Sequence, residues 1–144
     1  MSGNVVDASV AVKWVVAEAF SDEAASLLDG EIALIAPDLL FAEAANALWA
    51  LCRRGDITRD DFAEAIAALR AAPIAVPRAM RDLAASAARL SIDLGHPAYD
   101  CFYLALAVQE QHCVITADRR FYDVVRRHPY LSDRIAHVES LRTG

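Results

Sequence analysis

The chain has 144 residues, of which 56% are hydrophobic and 24% charged, and a formal net charge of −6. That length suits a single domain (1–144) with a proper core, and no apolar run approaches the roughly 18–20 residues that span a bilayer. The acidic balance excludes a protein that holds nucleic acid by a general basic surface, though not one that binds it locally through a metal and a few arginines.

Asn4–Val6 reads as a short strand with Asp7 at its exit. Ala8–Val16 and Ser21–Leu28 read as two short helices, the second with Ser21 as its cap and Asp22 and Glu23 in its first turn. Val10–Val16 is short, carries Lys13 and has no basic start, so it is no signal peptide, and a cytoplasmic protein without a membrane partner is expected. Ala33–Ala36 is the second strand, ended by Pro37. Asp38 is expected to cap the long helix Leu39–Arg54, which Gly55 closes.

Thr58 and Asp61 have the spacing of a capping box for helix Arg59–Ala72, with Asp in place of the usual Glu. Ile74–Val76, between two prolines, is a third strand, and Arg81–Leu94 is an amphipathic helix ended by Gly95. Pro97 suits a first helical position, and Tyr99–Val108 is so apolar that burial on most sides is expected. Cys113–Thr116 is a β-branched run of the buried parallel-strand kind. Helix Arg119–Arg127 follows, and His137–Leu141 is the candidate last strand. Strands alternating with helices imply a parallel sheet covered on both faces. Cys52, Cys101 and Cys113 form no close pair, which fits free thiols in a reducing compartment and gives no zinc-ligand spacing.

Four carboxylates stand out. In Leu39–Cys52 the only polar side chains are Glu43 and Asn46, three apart and so on one helix face. Asp100 likewise interrupts an apolar helix. A buried ionised carboxylate costs several kcal/mol unless it is paired or binds a metal. Neither apolar run contains a basic residue, so the compensating charge is a cation or an arginine from elsewhere. Asp7 and Asp118 each precede a helix, where an aspartate can equally be a plain N-cap. They also stand at strand exits, where open α/β sheets bind their ligands. Two carboxylates 4 Å apart repel by about 4 kcal/mol at an effective dielectric of 20. A divalent cation removes that conflict, and an all-oxygen donor set suits Mg²⁺ or Mn²⁺, the ions used to act on phosphate groups.

The segments VVDASVAVKW (5–14), FAEAANAL (41–48), AYDCFYLALA (98–107) and ITADRRF (115–121) together resemble the PIN domain. They resemble more closely the VapC-type ribonuclease toxins of bacterial toxin–antitoxin pairs. The resemblance implies a PIN-like three-layer α/β/α sandwich around a parallel sheet of about five strands. It makes Asp7, Glu43, Asp100 and Asp118 the acidic, catalytic and metal-binding set, supported by Ser9, Asn46 and Thr116. Asp123 falls where some members carry a further acid, against the alternative of a solvated helix face. The implied activity is Mg²⁺- or Mn²⁺-dependent endonucleolytic hydrolysis of RNA that inhibits translation and growth. The implied partners are RNA, a cognate VapB-like antitoxin and a second copy in a homodimer. Arg119 and Arg120, next to Asp118, are the expected phosphate contacts. Arg126 and Arg127 are read as complementing the helix dipole and Lys13 as a surface residue. Trp14, Trp49 and Tyr103 are read as core rather than as RNA-stacking residues.

Two other readings remain at this point. A PIN-like module could bind RNA or a partner without cutting, and receiver or HAD-type phosphate-handling domains also place aspartates at strand exits. The latter need a lysine late in the chain, and the only lysine is Lys13. Dinucleotide binding has no GxGxxG to rest on.

Overall fold

Each strand is short, two to four residues. The computed structural model describes residues 3–141. Its strands are β1 (Asn4–Val6), β2 (Leu34–Ile35), β3 (Ile74–Ala75), β4 (Cys113–Thr116) and β5 (Ile135–His137). They form one parallel sheet in the order β3-β2-β1-β4-β5. The helices are α1 (Ala8–Val15), α2 (Ser21–Ser26), α3 (Leu39–Arg53), α4 (Arg59–Ala71), α5 (Met80–Leu94), α6 (Ala98–Glu110) and α7 (Arg119–Arg126). The result is the expected α/β/α sandwich. Among the described residues, no helix is long and apolar enough to cross a membrane.

The central strands are buried on both faces: Val5, Val6 and Val114 are inaccessible to solvent, and Ile115 nearly so. Helix α6 explains its own lack of amphipathicity, since Cys101 and Tyr103–Ala107 are all buried against β1, β4 and α5. The left-handed Gln111 (φ 57°) ends α6, and the His112 N–H then bonds the Ala107 carbonyl at 2.8 Å. Gly95 (φ 61°) ends α5 in the same way with the residue suited to it.

Four local expectations are corrected. Asp38 does not cap α3: it already has helical dihedrals, and its side chain makes no capping bond. Ser21 does not cap α2 either, because the cap is the left-handed Phe20. The Ser21 hydroxyl instead donates to the Val16 carbonyl at 3.2 Å and accepts from the Glu18 N–H at 3.0 Å, pinning the loop after α1. The last strand lies at Ile135–His137 rather than His137–Leu141, since His137 caps a 3₁₀ turn over Val138–Ser140. Trp49 is 48% exposed on α3, with the Arg53 guanidinium 5.3 Å from its ring, and so is not core. Tyr103 is fully buried, and the half-buried Trp14 donates its indole N–H to the Ala24 carbonyl. The Thr58–Asp61 capping box forms with both bonds at 3.0 Å.

Candidate active site

The strand order reverses between β1 and β4, the place where an open parallel sheet leaves a crevice at its carboxyl edge. Asp7 leaves β1 and Asp118 follows β4, and since these strands pair, the fold delivers both carboxylates to the same crevice. Glu43 comes from the second turn of α3 and Asp100 from the first turn of α6. All four line one pocket of about 560 Å³.

Each carboxylate is held differently. Asp7 is 4% exposed and accepts bonds from the Ser9 hydroxyl (2.5 Å), the Thr116 hydroxyl (2.5 Å) and the Val10 N–H (3.3 Å). Burial nevertheless dominates, with the charge of Asp100 adding to it, and raises its pKa from 3.8 to about 7 against the pull of those bonds. Asp7 is therefore an N-cap and a pocket carboxylate at once. Asp118 does both as well, accepting from the Phe121 N–H at 3.1 Å. Glu43 accepts from the buried Tyr103 hydroxyl at 2.6 Å, and burial raises its pKa despite that bond. Asp100 lies 2.6 Å from His96 Nε2; burial raises its pKa, His96 opposes the rise and Asp118 adds to it.

Ser9 and Thr116 both donate to Asp7 and tie the two strand exits together. The Ser9 oxygen also accepts from the Ala117 N–H (2.9 Å), and the Thr116 oxygen from the Asp118 N–H (3.0 Å). Asn46 is exposed and lines a neighbouring cavity on the far side of Glu43. Arg119 and Arg120 are exposed and do not line the pocket; Arg119 pairs with Glu139 at 2.9 Å. Asp123 is half-buried on α7 and offers its backbone carbonyl to Arg127.

Sequence reasoning missed four residues. His96, four residues before Asp100, meets its carboxylate, and Tyr103, three residues after it, donates to Glu43; their spacing around Asp100 could have marked both as residues of the site. Lys13 is not a surface residue: its side chain is 9% exposed, it lines the pocket and it pairs with Glu18 at 3.1 Å. Arg54 lines the same pocket.

A model of the PIN domain matches residues 5–127. The chain belongs to the PIN-domain family. PIN domains are generally nucleases and typically use divalent metal ions, which sets aside the receiver and HAD-type alternatives. Among the solved structures that match is the crystal structure of PAE2754 from Pyrobaculum aerophilum. It is 20% identical, with a TM-score of 0.66 over 97% of this chain and 86% of that one, a likeness of fold. No curated protein matches significantly in sequence.

The donor set of this PIN domain suits a hard divalent cation in kind, being all carboxylate and hydroxyl oxygen, with Asp7 buried at the centre. Among the described residues, no three His, Cys, Asp or Glu side chains stand in a ready-made metal-holding group. Each carboxylate instead has a protein partner: Asp7 bonds Ser9 and Thr116, Asp100 meets His96, Glu43 accepts from Tyr103 and Asp118 caps its own helix.

Proposed function

We propose that this PIN domain is a metal-dependent endoribonuclease, the VapC-type toxin of a VapBC-type pair that inhibits translation and growth in the cytoplasm. The observation that carries the reading is the convergence of Asp7, Glu43, Asp100 and Asp118, from four separate elements, on one pocket at the reversal of the sheet. Asp7, Asp100 and Asp118 are the residues that would hold Mg²⁺ or Mn²⁺, with Glu43 beside them. Such an ion supplies a water of lowered pKa and shields the phosphoryl oxygens.

The protein's own groups do the rest. Ser9 and Thr116 fix the orientation of Asp7, and His96 that of Asp100. Glu43 is half-buried, lines the pocket and has a raised pKa, so it suits the task of orienting a water and taking its proton. Asp7, with three hydrogen bonds already made, is less free to do so. Water then adds across one P–O bond of the phosphodiester, and the proton balances on the departing oxygen.

A homodimer and a VapB-like antitoxin accompany this reading, and an antitoxin arginine entering the acidic pocket is a physically sensible block. The test is incubation of the protein and its Asp100→Asn variant with structured cellular RNA, in Mg²⁺ or Mn²⁺ and in chelator. Discrete cuts that need both metal and Asp100 support the reading. Identical behaviour of the two proteins across a broad RNA panel refutes it, and metal-dependent binding without cutting would move the assignment to a non-catalytic RNA- or partner-binding module.

A further inference from the structure

The pocket is not uniformly acidic. Glu43, Ala47, Ala50 and Arg54 recur along one face of α3 and line it together. At about 1.5 Å per residue, Arg54 stands about 16 Å along the helix from Glu43. Helix α1, packed against α3, repeats the order, with Asp7 at its start and Lys13 about 9 Å further on. The groove therefore has four carboxylates at one end and, at the other, two cations together with Glu18, the partner of Lys13.

Each cation is engaged by one carboxylate. Lys13 is the only lysine in the sequence, and its largely buried side chain is held by Glu18, on the loop that Ser21 pins. Arg54 meets Asp56 at 3.1 Å, a pair whose side chains are both more than half exposed. Surface pairs of that kind contribute little and exchange readily. Arg119, by contrast, lies outside the pocket, with Glu139 against its guanidinium and the Tyr122 ring 5.5 Å away.

Resting on the nuclease reading, we propose that the RNA backbone leaves the carboxylate end along the α1–α3 groove, its phosphates contacted by Lys13 and then Arg54. Glu18 is the built-in competitor that a phosphate displaces from Lys13. Contacts of this kind carry no sequence information and appear as salt-dependent affinity.

The test uses an uncutting Asp100→Asn background and a fluorescein-labelled, mixed-sequence single-stranded RNA dodecamer in Mg²⁺ buffer, followed by anisotropy across a salt series. Lys13→Met, which keeps the buried stem, and Arg54→Ala should each weaken binding about 3- to 10-fold and flatten the log–log salt slope by about 0.7. Lys13→Arg should restore the slope, and Glu18→Gln should tighten binding about twofold, a change of opposite sign that loss of folding could not produce. Arg119→Ala and Arg120→Ala should change affinity less than about twofold. Unchanged affinity and slope in Lys13→Met and Arg54→Ala, or a larger loss in the α7 variants, overturns the path while leaving the nuclease reading intact. Failure of the parent protein to bind the dodecamer at any salt concentration overturns both.

Discussion

Replacing Asp7 with asparagine should make the metal-free protein more stable at neutral pH while abolishing its activity. The carboxylate is almost wholly buried, and burial moves its pKa from 3.8 to about 7. In the unfolded chain the group ionises near 3.8, whereas in the folded chain it holds its proton until about 7. Over that window the native state binds more protons than the unfolded state, so stability is fully present below the unfolded pKa and falls as pH rises. At about 1.4 kcal/mol per tenfold change in proton affinity, the loss comes to about 4 kcal/mol once the pH is above 7. Asparagine keeps the acceptor for the Ser9 hydroxyl and the Val10 N–H, turns its amide N–H toward the Thr116 oxygen, and carries no charge to desolvate. Urea melts of both proteins in chelator between pH 4 and pH 8 measure the difference. The curves should meet near pH 4 and diverge by several kcal/mol at pH 8, with asparagine the more stable. A flat difference across the range, or a less stable variant at pH 8, would refute the account of a carboxylate strained by its own burial.

Three other substitutions probe what holds the site. Thr116→Val keeps the strand's shape but removes the hydroxyl that bonds Asp7 and the Asp118 N–H; a loss of about 1–3 kcal/mol in chemical denaturation is expected. Tyr103→Phe leaves Glu43 without its 2.6 Å donor, so the pH profile of RNA cleavage should shift its acid limb upward, with little change in the melting temperature. An unmoved limb would show that Glu43 does not titrate in the reaction. Gln111→Gly relieves a left-handed non-glycine residue at an exposed helix end and should raise stability by about 0.5–1 kcal/mol, read as a higher urea midpoint at unchanged slope.

The parts of the site written in local pattern were legible beforehand. A carboxylate after a β-branched strand, or alone in an apolar helix, is conspicuous because burial makes it expensive, and Asp7, Glu43, Asp100 and Asp118 were all found that way. Lys13 was not, because a single lysine on a short helix looks the same whether it faces water or a groove. Only the packing of α1 on α3, and the loop that brings Glu18 back, bury it. Arg119 shows the opposite case, since proximity in sequence to Asp118 says nothing of Glu139, twenty residues on, with which it pairs outside the pocket. Trp49 looked like core because aromatic residues on apolar helices usually are; α3 presents it outward. Asp38 and Ser21 had capping residues' chemistry without the extended backbone a cap requires, and dihedral angles are not written in composition.

The bond from Thr116 to Asp7 joins residues 109 positions apart, and β4 pairs directly with β1. A chain emerging from the ribosome thus carries Asp7 and Glu43 for most of its synthesis, and Asp100 for a shorter stretch, without an assembled pocket, because the strand that positions Asp7 is among the later ones made. At synthesis rates of about 5–20 residues per second the interval lasts seconds. Whatever chemistry the pocket performs is withheld during that interval by topology alone, and the translating ribosome is not exposed to the activity of an unfinished copy.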